Sequence, residues 1–438
     1  MLSRYFGMKN VCRLSLVFSL VLHGSVLARY PAIESPSPPQ PRLIVGYLPS
    51  FRLSHFPIKE LEKRGAAERL THILYAFTNV ANAHPTFDDD ETEYQRVYTA
   101  KESIDGEADD PANKTALRGA FNQLRKLKAR HPQLKVLMSI GGANTANSRG
   151  FSQASRTKAS REKFVSACID LLIRGHLPHD VSAKGLFDGL DIDWEYPTDC
   201  SPSMTNSGGC LPEDTANFTL LLQEFRRQLD EQGAKDGVRY QLTMASSAWV
   251  DDYSKYEWRK IHPVLDFINV MTYGLAPPGM TRPHSALYKS SKDTFDNGPT
   301  FNTDYAVTRY QQEGVPANKI VMGVPFYAHG WEGVPNINHG LYQKAAGRAR
   351  GSIGEGDEQY SKLKTLQGFR QYRDPETQSV WLYNPASGVL WSYDDPTSLA
   401  VKMEYLKRKN LAGVMFWELS GDDENGSLLK AIYRGLRY

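Results

Sequence analysis

Cysteine, net charge and long apolar segments are all scarce in this chain. Its 438 residues include four cysteines, and 52 Lys and Arg stand against 49 Asp and Glu. With a formal net charge of only +3, the chain lacks the electrostatic footprint of a protein that binds nucleic acid or an acidic membrane surface. We therefore expect an uncharged substrate, and neither nucleic acid nor membrane as a partner. Hydrophobic residues make up 41% of the sequence, which is typical of a globular protein.

One apolar run, near the N-terminus, predicts a signal peptide over residues 1–28. Leu14–Leu22 is apolar, and Val26–Ala28 ends in the small residue that signal peptidase requires. The basic residues of this segment are Arg4, Lys9 and Arg13. The run is too short to span a bilayer comfortably, so an uncleaved anchor is the weaker alternative, and no later segment approaches that length. We expect a secreted, extracellular protein.

Three cysteines remain after the signal peptide, which contains Cys12. Cys168 lies in an amphipathic helical pattern and is expected to be a core thiol. Cys200 and Cys210 bracket a polar loop rich in Gly and Ser. Because secretion permits disulfides, we expect these two residues to pair, although spacing alone does not establish connectivity.

Eight short apolar segments with strand character alternate with helical patterns after a Pro-rich linker at residues 29–41. The predicted strands are Leu43–Leu48, His72–Val80, Lys135–Gly142, Phe187–Pro197, Gln241–Ala248, Phe267–Tyr273, Ile320–Tyr327 and Gly413–Leu419. Helices are predicted at 58–69, 116–127, 161–174, 218–229 and 305–313, and a last one after Asp395. This alternation predicts an α/β fold over residues 42–438. Eight repeats favour a closed (β/α)8 TIM barrel over a doubly wound sheet.

Two intervals interrupt this alternation. The stretch between Tyr327 and the last helix is too long for an irregular loop and contains short strand-like runs. It predicts a small α+β insertion after strand seven, at residues 331–392, beside the active face. The acidic segment Asp88–Asp110 is expected to be an exposed loop.

The segment Phe187–Pro197 holds four carboxylates. In a strand, alternate residues share a face, so three of the acids lie together and Leu190, Ile192 and Trp194 lie opposite. The three acids are Asp191, Asp193 and Glu195, whereas Asp188 is expected to support the strand from outside the chemistry. Burying like charges so close together costs roughly several kcal/mol per carboxylate unless they share a proton. Carboxylates of this kind cluster at functional sites.

Five motifs resemble glycoside hydrolase family 18, the chitinases. They are SIGG at 139–142, DGLDIDWEYP at 188–197, MTY at 271–273, PFY at 325–327 and FWEL at 416–419. The D-x-x-D-x-D-x-E spacing is the specific part, and the resemblance covers the chain after the linker. It implies a secreted hydrolase of β-1,4-linked N-acetylglucosamine in chitin that works with retention of configuration.

The resemblance also implies roles for individual residues. Glu195 is the general acid and base, and Asp193 orients the substrate acetamido group whose oxygen attacks in place of an enzyme nucleophile. Asp191 shares a proton with Asp193, and Tyr273 hydrogen-bonds the acetamido carbonyl. Trp417 forms the floor under the sugar. No metal or cofactor is implied.

Further cleft residues are expected from their positions near the strand ends. They are Tyr47, Phe77, Tyr196, Met271 and Tyr327. Two positions depart from the family pattern, because Gly274 stands where many members have Asp and His329 stands where a sugar-binding Arg is usual. We expect chitin or chitooligosaccharides as partners of a monomeric enzyme.

Other functions remain open at this point. The same residues would serve an endo-β-N-acetylglucosaminidase acting on N-glycans, and exo and endo action are not distinguished. A chitin-binding lectin is disfavoured because Glu195 is retained. A metal-dependent phosphotransferase using the carboxylates as ligands is disfavoured because no phosphate-cradling Gly/Lys loop accompanies them.

Overall fold

Eight parallel strands close into a barrel in the computed structural model, which describes residues 41–199, 210–277, 279–295 and 298–437. Strands are numbered along the chain. The barrel strands are β1 (Leu43–Pro49), β2 (His72–Ala81), β4 (Lys135–Gly141), β5 (Gly189–Asp193), β6 (Gln241–Ser247), β7 (Phe267–Met271), β8 (Ile320–Pro325) and β15 (Gly413–Trp417). The strand β1 pairs in parallel with both β2 and β15. This closure confirms the predicted (β/α)8 barrel and excludes the open sheet.

Helices lie between the barrel strands. The α-helices are Lys59–Lys63, Gly119–Arg130, Thr145–Ser155, Lys158–Cys168, Asp214–Asp236, Val250–Tyr253, Trp258–Ile261, Thr303–Gln312, Tyr360–Leu363, Pro396–Arg408 and Ser427–Arg437. A single π-helical turn, Ile169–Ile173, extends the fourth of them. Asp395 caps the helix Pro396–Arg408 and forms a capping box with Ser398, as the Asp-Pro pair predicts.

The predicted two-faced character of β5 is confirmed. Leu190, Ile192 and Trp194 are fully or almost fully buried in the core between the barrel and its helices. The Trp194 ring stacks on Phe151 at 5.3 Å and meets Phe218 edge-on at 5.5 Å. The strand therefore gains its packing energy on the outer face, which leaves its inner face for polar groups.

The interval between β8 and the helix Pro396–Arg408 forms a second, antiparallel sheet. Its strands are β9 (Tyr327–Glu332), β10 (Gly347–Arg348), β11 (Asp357–Gln359), β12 (Arg370–Asp374), β13 (Ser379–Asn384) and β14 (Val389–Tyr393). Their order is β10-β9-β14-β13-β12, with β11 also on β9. A separate apolar core includes Trp331, Trp381, Tyr383 and Leu390. One residue, Phe326, separates β8 from the first strand of this sheet, so β8 runs almost directly into it.

The acidic segment after β2 is not wholly exposed, and that prediction was wrong in part. The segment follows β3 (His84–Thr86) and contains a π-helical turn, Glu91–Gln95. Within this turn Glu93 is only 2% exposed, Tyr94 is buried, and Tyr75 Oη donates a hydrogen bond of 2.6 Å to Glu93. The acidic composition of the segment predicted exposure, but it does not show that Glu93 has a buried hydrogen-bond partner, Tyr75, on β2.

Several sequence predictions concern residues outside the described part of the chain. These are the signal peptide over 1–28, nearly all of the linker over 29–41, and Cys200. Cys210 takes part in a disulfide, but its predicted pairing with Cys200 stays a prediction. Cys168 is a buried free thiol, as predicted. Within the described ranges, no helix combines the length and apolar character needed to cross a bilayer.

Candidate active site

A cleft opens at the carboxyl ends of the barrel strands, where barrel enzymes carry out their chemistry. Its volume is about 400 Å³. The cleft is lined by Tyr47, Ser50, Phe51, Phe77, Asn79, Asp88, Gly141, Gly142, Ala143, Asn144, Asp193, Glu195, Met271, Tyr273, Tyr327 and Trp417. A larger cavity of about 750 Å³ lies between the end of β1 and the second sheet, and its lining includes none of the β5 carboxylates. The smaller cleft is therefore the candidate active site.

The register of the barrel surrounds Asp191 with hydrogen-bond donors. Asp191 pairs with Ser139 of β4 on one side and with Thr243 of β6 on the other. Its carboxylate accepts bonds from Ser139 Oγ (2.8 Å), Thr243 Oγ1 (2.5 Å), Tyr47 Oη (2.9 Å) and Asn269 Nδ2 (3.2 Å). Burial raises the pKa of Asp191, and these donors oppose the rise. Asp191 is thus fixed beneath the cleft with its lone pairs already engaged.

Asp193 has the opposite surroundings, although it lies only two residues further along β5. It is 4% exposed, and its Oδ1 has no hydrogen-bond partner among the described residues. Burial raises its pKa well above the ordinary value, and the negative charges of Glu195 and Asp191 raise it further. A carboxyl group in this position favours its protonated form more than an exposed one does, and it offers one oxygen to a ligand.

Glu195 follows the end of β5 and reaches the cleft. Its backbone carbonyl accepts a hydrogen bond of 2.8 Å from Ser148 Oγ, which anchors the turn. Burial raises the pKa of the Glu195 carboxyl, a hydrogen bond from Tyr196 lowers it, and the negative charge of Asp252 raises it. The net rise favours the protonated form, which is the form that a general acid needs.

Aromatic rings form the apolar part of the cleft. The Trp417 ring lies nearly parallel to Phe77, with centroids 5.8 Å apart, and tilted against Tyr47 at 5.5 Å. Tyr273 donates a weak hydrogen bond of 3.7 Å to Met415 Sδ and meets Tyr327 edge-on at 6.1 Å. A partly exposed indole in such a frame offers a flat apolar surface beside the carboxylates.

The two departures from the family pattern lie next to each other. Gly274 adopts φ +67°, and a Cβ there would lie 3.9 Å from His329 Nε2. His329 Nδ1 lies 2.6 Å from Asp357 Oδ1 of the second sheet, and the imidazole packs against buried His284 at 4.6 Å. The His329 ring therefore sits beside Gly274 and is held from the second sheet.

Most of the predicted site residues meet in this cleft. Asp191 lies just beneath it, and Tyr196 lies against Glu195 without being among the described lining residues. The residues that sequence reasoning missed include the three donors Ser139, Thr243 and Asn269. Ser139 and Asn269 are each a lone polar residue inside an apolar strand, and Thr243 stands between Leu242 and Met244, which is a signal that the sequence does carry. The lining residues Ser50, Phe51, Asn79, Asp88 and Asn144 have no such signal.

Comparisons with known proteins agree with this geometry. The model of the glycosyl hydrolases family 18 matches residues 44–422. A chitinase C from Streptomyces lividans is 35% identical over 384 residues, covering 85% of this chain and 56% of that protein, so this chain spans just over half of that relative.

Two solved structures give the same result. The catalytic domain of psychrophilic chitinase B from Arthrobacter TAD20 is 34% identical, with a TM-score of 0.83 over 90% of this chain and 95% of that one. A glycoside hydrolase family 18 N-acetylglucosaminidase from Paenibacillus barengoltzii is 30% identical, with a TM-score of 0.70 over 90% and 99% of the two chains. The motifs, the barrel and the matched residues together establish that this chain belongs to glycosyl hydrolase family 18.

Proposed function

We propose that the protein is a secreted chitinase that hydrolyses β-1,4 linkages between N-acetylglucosamine units. The observation that carries this proposal is the state of Asp193, a buried carboxyl with one unpartnered oxygen between Asp191 and Glu195. Such a group is suited to accept a hydrogen bond from an N–H of the substrate. An acetamido group beside the reacting carbon supplies that N–H.

The proposed reaction starts with proton donation by Glu195. Its carboxyl proton goes to the glycosidic oxygen, and the bond from that oxygen to C1 breaks. The acetamido carbonyl oxygen of the same sugar forms a bond to C1 on the opposite face, giving a cyclic oxazolinium ion. In this scheme Asp193 accepts a hydrogen bond from the acetamido N–H, and Tyr273 donates one to the acetamido oxygen.

Water completes the reaction. The Glu195 carboxylate takes a proton from a water molecule, whose oxygen bonds to C1 as the acetamido oxygen leaves. Two inversions at C1 give net retention of configuration. Trp417, framed by Phe77 and Tyr47, supports the apolar face of the sugar during both steps. Every proton in this scheme moves between Glu195, substrate and water, so no metal or cofactor is required.

The proposal is tested with Glu195→Gln on chitin oligomers of defined length. We expect kcat to fall by roughly 10²- to 10⁴-fold, the usual contribution of general acid catalysis, while oligomer binding is kept. Glu404→Gln is the matched control, because Glu404 is 59% exposed on an outer helix. Turnover of Glu195→Gln near that of the wild type would contradict the assignment.

Product analysis in the same assay separates the mechanisms. Retention should give the β-anomer as the first product, and a thiazoline mimic of the cyclic intermediate should inhibit. An α-anomer, or failure of the thiazoline to bind, would refute the attack by the acetamido oxygen while leaving hydrolysis itself in place.

A second candidate is an N-acetylglucosaminidase, favoured by the 30% identity to the Paenibacillus barengoltzii enzyme. The same carboxylates would serve it. Release of single sugars from a chitin hexamer would support this candidate, whereas dimers and trimers would support the chitinase. Release of intact glycans from a glycoprotein would instead identify an endo-β-N-acetylglucosaminidase.

The proposal includes processing and domain organisation. We propose cleavage after residue 28, a linker over 29–41, a catalytic domain over 42–438, and an inserted domain over 331–392 that forms one wall of the substrate groove. We also propose that the enzyme acts outside the cell as a monomer. N-terminal sequencing of the exported protein and its mass in solution test these statements.

A further inference from the structure

Asp252 lies in the short helix Val250–Tyr253 that follows β6, and it joins two elements of the site. Its Oδ2 accepts a hydrogen bond of 2.8 Å from Ser247 Oγ, at the end of β6. Its Oδ1 accepts a bond of 3.2 Å from Thr198 Oγ1. Thr198 lies three residues after Glu195, and both hydroxyl-bearing residues are buried. Asp252 therefore connects the turn that carries Glu195 to the neighbouring strand.

A lysine strengthens the same connection. Lys255 Nζ donates a hydrogen bond of 3.1 Å to the backbone carbonyl of Thr198. Burial raises the pKa of Asp252 above its ordinary value, and the two hydroxyl donors and the positive charge of Lys255 oppose this rise. The turn 195–198 is thus held at Thr198 by Asp252 of the short helix and by Lys255, which follows that helix, and it is held at Glu195 by Ser148.

The negative charge of Asp252 also acts on the proposed acid. It raises the pKa of Glu195, and it contributes to the raised pKa of Tyr196. Several titratable groups interact electrostatically with Asp252. Lys255 and Tyr256 follow it in the chain, and Glu195, Tyr196 and Asp199 follow β5. Tyr310 lies on the helix Thr303–Gln312. Of these groups only Lys255 carries a positive charge.

Asp252 is not among the described residues that line the cleft, so it acts through Glu195 and not on the sugar. We propose that Asp252 is a positioning residue, which holds the turn 195–198 in place and, through its negative charge, sets the alkaline limit of the enzyme's activity. This inference rests on the proposed role of Glu195. It adds a fourth carboxylate, from a different strand connection, to the three on β5.

The test of the charge is Asp252→Asn, with kcat/KM on a chitin oligomer measured across pH. The amide accepts a bond from one hydroxyl and donates to the other, so the connection is kept while the charge is lost. Glu195 then loses its proton more easily, and the alkaline limb should move down by about 0.5 to 1 pH unit. The matched control is Asp251→Asn, an exposed neighbour in the same helix, which should leave the limb in place.

The test of the positioning role is Thr198→Val, which keeps the charge and removes one hydrogen bond. We expect kcat to fall about three- to tenfold with little change in KM, because a typical hydrogen bond contributes about 1 kcal/mol. A wild-type kcat for Thr198→Val, or an Asp252→Asn profile that superimposes on the wild type, would overturn the inference. If the wild-type enzyme fails to cleave the oligomer at all, the proposed function fails instead, so the two failures are distinguishable. Thermal unfolding of each variant identifies any loss of fold.

Discussion

The carboxylates at the two ends of the fourth barrel strand, β5, have opposite electrostatic surroundings. At the lower end Asp188 meets Lys128 Nζ at 2.7 Å and Lys135 Nζ at 3.3 Å, and it accepts the backbone N–H of Val136 at 2.8 Å. At the upper end, no lysine or arginine forms an ion pair with the acids from Asp191 to Glu195 in the ranges that the structure covers. The same residue type is neutralised at one end and left without a cation at the other.

The difference teaches how a structural acid and a reactive acid are told apart. Two lysines pair with Asp188, so it fastens β5 to β4 and to the helix Gly119–Arg130. Without cations, burial raises the pKa of both Asp193 and Glu195, and the charges of Glu195 and Asp191 add to the rise at Asp193. An uncompensated charge is costly for folding, but a raised pKa favours the protonated form that a general acid needs.

The largest effect is expected at the upper end, from Asp193→Asn. The amide cannot accept the substrate N–H with the strength of a carboxylate, and kcat should fall by about 10²-fold or more. The variant should also unfold at a higher temperature than the wild type near pH 7. Burial raises the pKa of Asp193, so the folded state loses stability as pH rises from the unfolded value, and the amide removes this loss. A Tm gain of equal size at pH 7 and pH 4 would contradict that explanation.

A second expectation tests whether every uncompensated acid is reactive. Burial raises the pKa of Glu93 to about 8, with Tyr75 as its hydrogen-bond partner. The folded state therefore loses stability as pH rises from about 4.5 towards 8. Glu93→Gln should be more stable than the wild type above pH 8 by roughly 1 to 2 kcal/mol, with little difference near pH 4, as followed by urea unfolding. A constant difference across pH would show that Glu93 is not the titrating group.

The kcat of Glu93→Gln tests whether a buried acid outside the cleft takes part in the reaction. It is absent from the described lining of the cleft, so Glu93→Gln should keep kcat within about twofold of the wild type once the protein is folded. A loss comparable to that of Asp193→Asn would mean that the acidic segment takes part in the reaction.

The smallest effect is expected at the lower end, from Asp188→Asn. Loss of two partly exposed ion pairs should lower the free energy of unfolding by about 0.5 to 1.5 kcal/mol, because such pairs are weak, and kcat should not change. Lys135→Gln, which removes the more exposed of the two lysines, should have a smaller effect still. A tenfold change in kcat for Asp188→Asn would remove the distinction between the two ends.

The alternation of residues in Phe187–Pro197 was enough to predict the stacked acids, because side-chain direction in a strand depends only on parity. The four donors on Asp191 depend instead on the register between strands, which closure of the barrel determines. Ser139 and Thr243 are visible as polar residues in apolar strands, but nothing in the sequence assigns both to Asp191. The bond from Thr198 to Asp252 joins residues 54 positions apart and needs the fold as well.

For the acidic segment Asp88–Asp110, the sequence pattern gave a prediction that was wrong in part. Its composition predicted exposure, and one buried bond to Tyr75 was enough to change the outcome for Glu93. Departures from the family pattern were visible in the sequence at Gly274 and His329. Their proximity was not, because it depends on the backbone of Gly274 and on the position of a ring held by Asp357.

The second sheet begins and ends at neighbouring points. Its first strand, β9, pairs antiparallel with its last, β14, and Ser392 lies opposite His329. One residue separates β9 from β8, and one residue separates β14 from the cap Asp395. Because its two ends are adjacent, we expect that a shorter connection can replace the sheet without changing the register of the barrel.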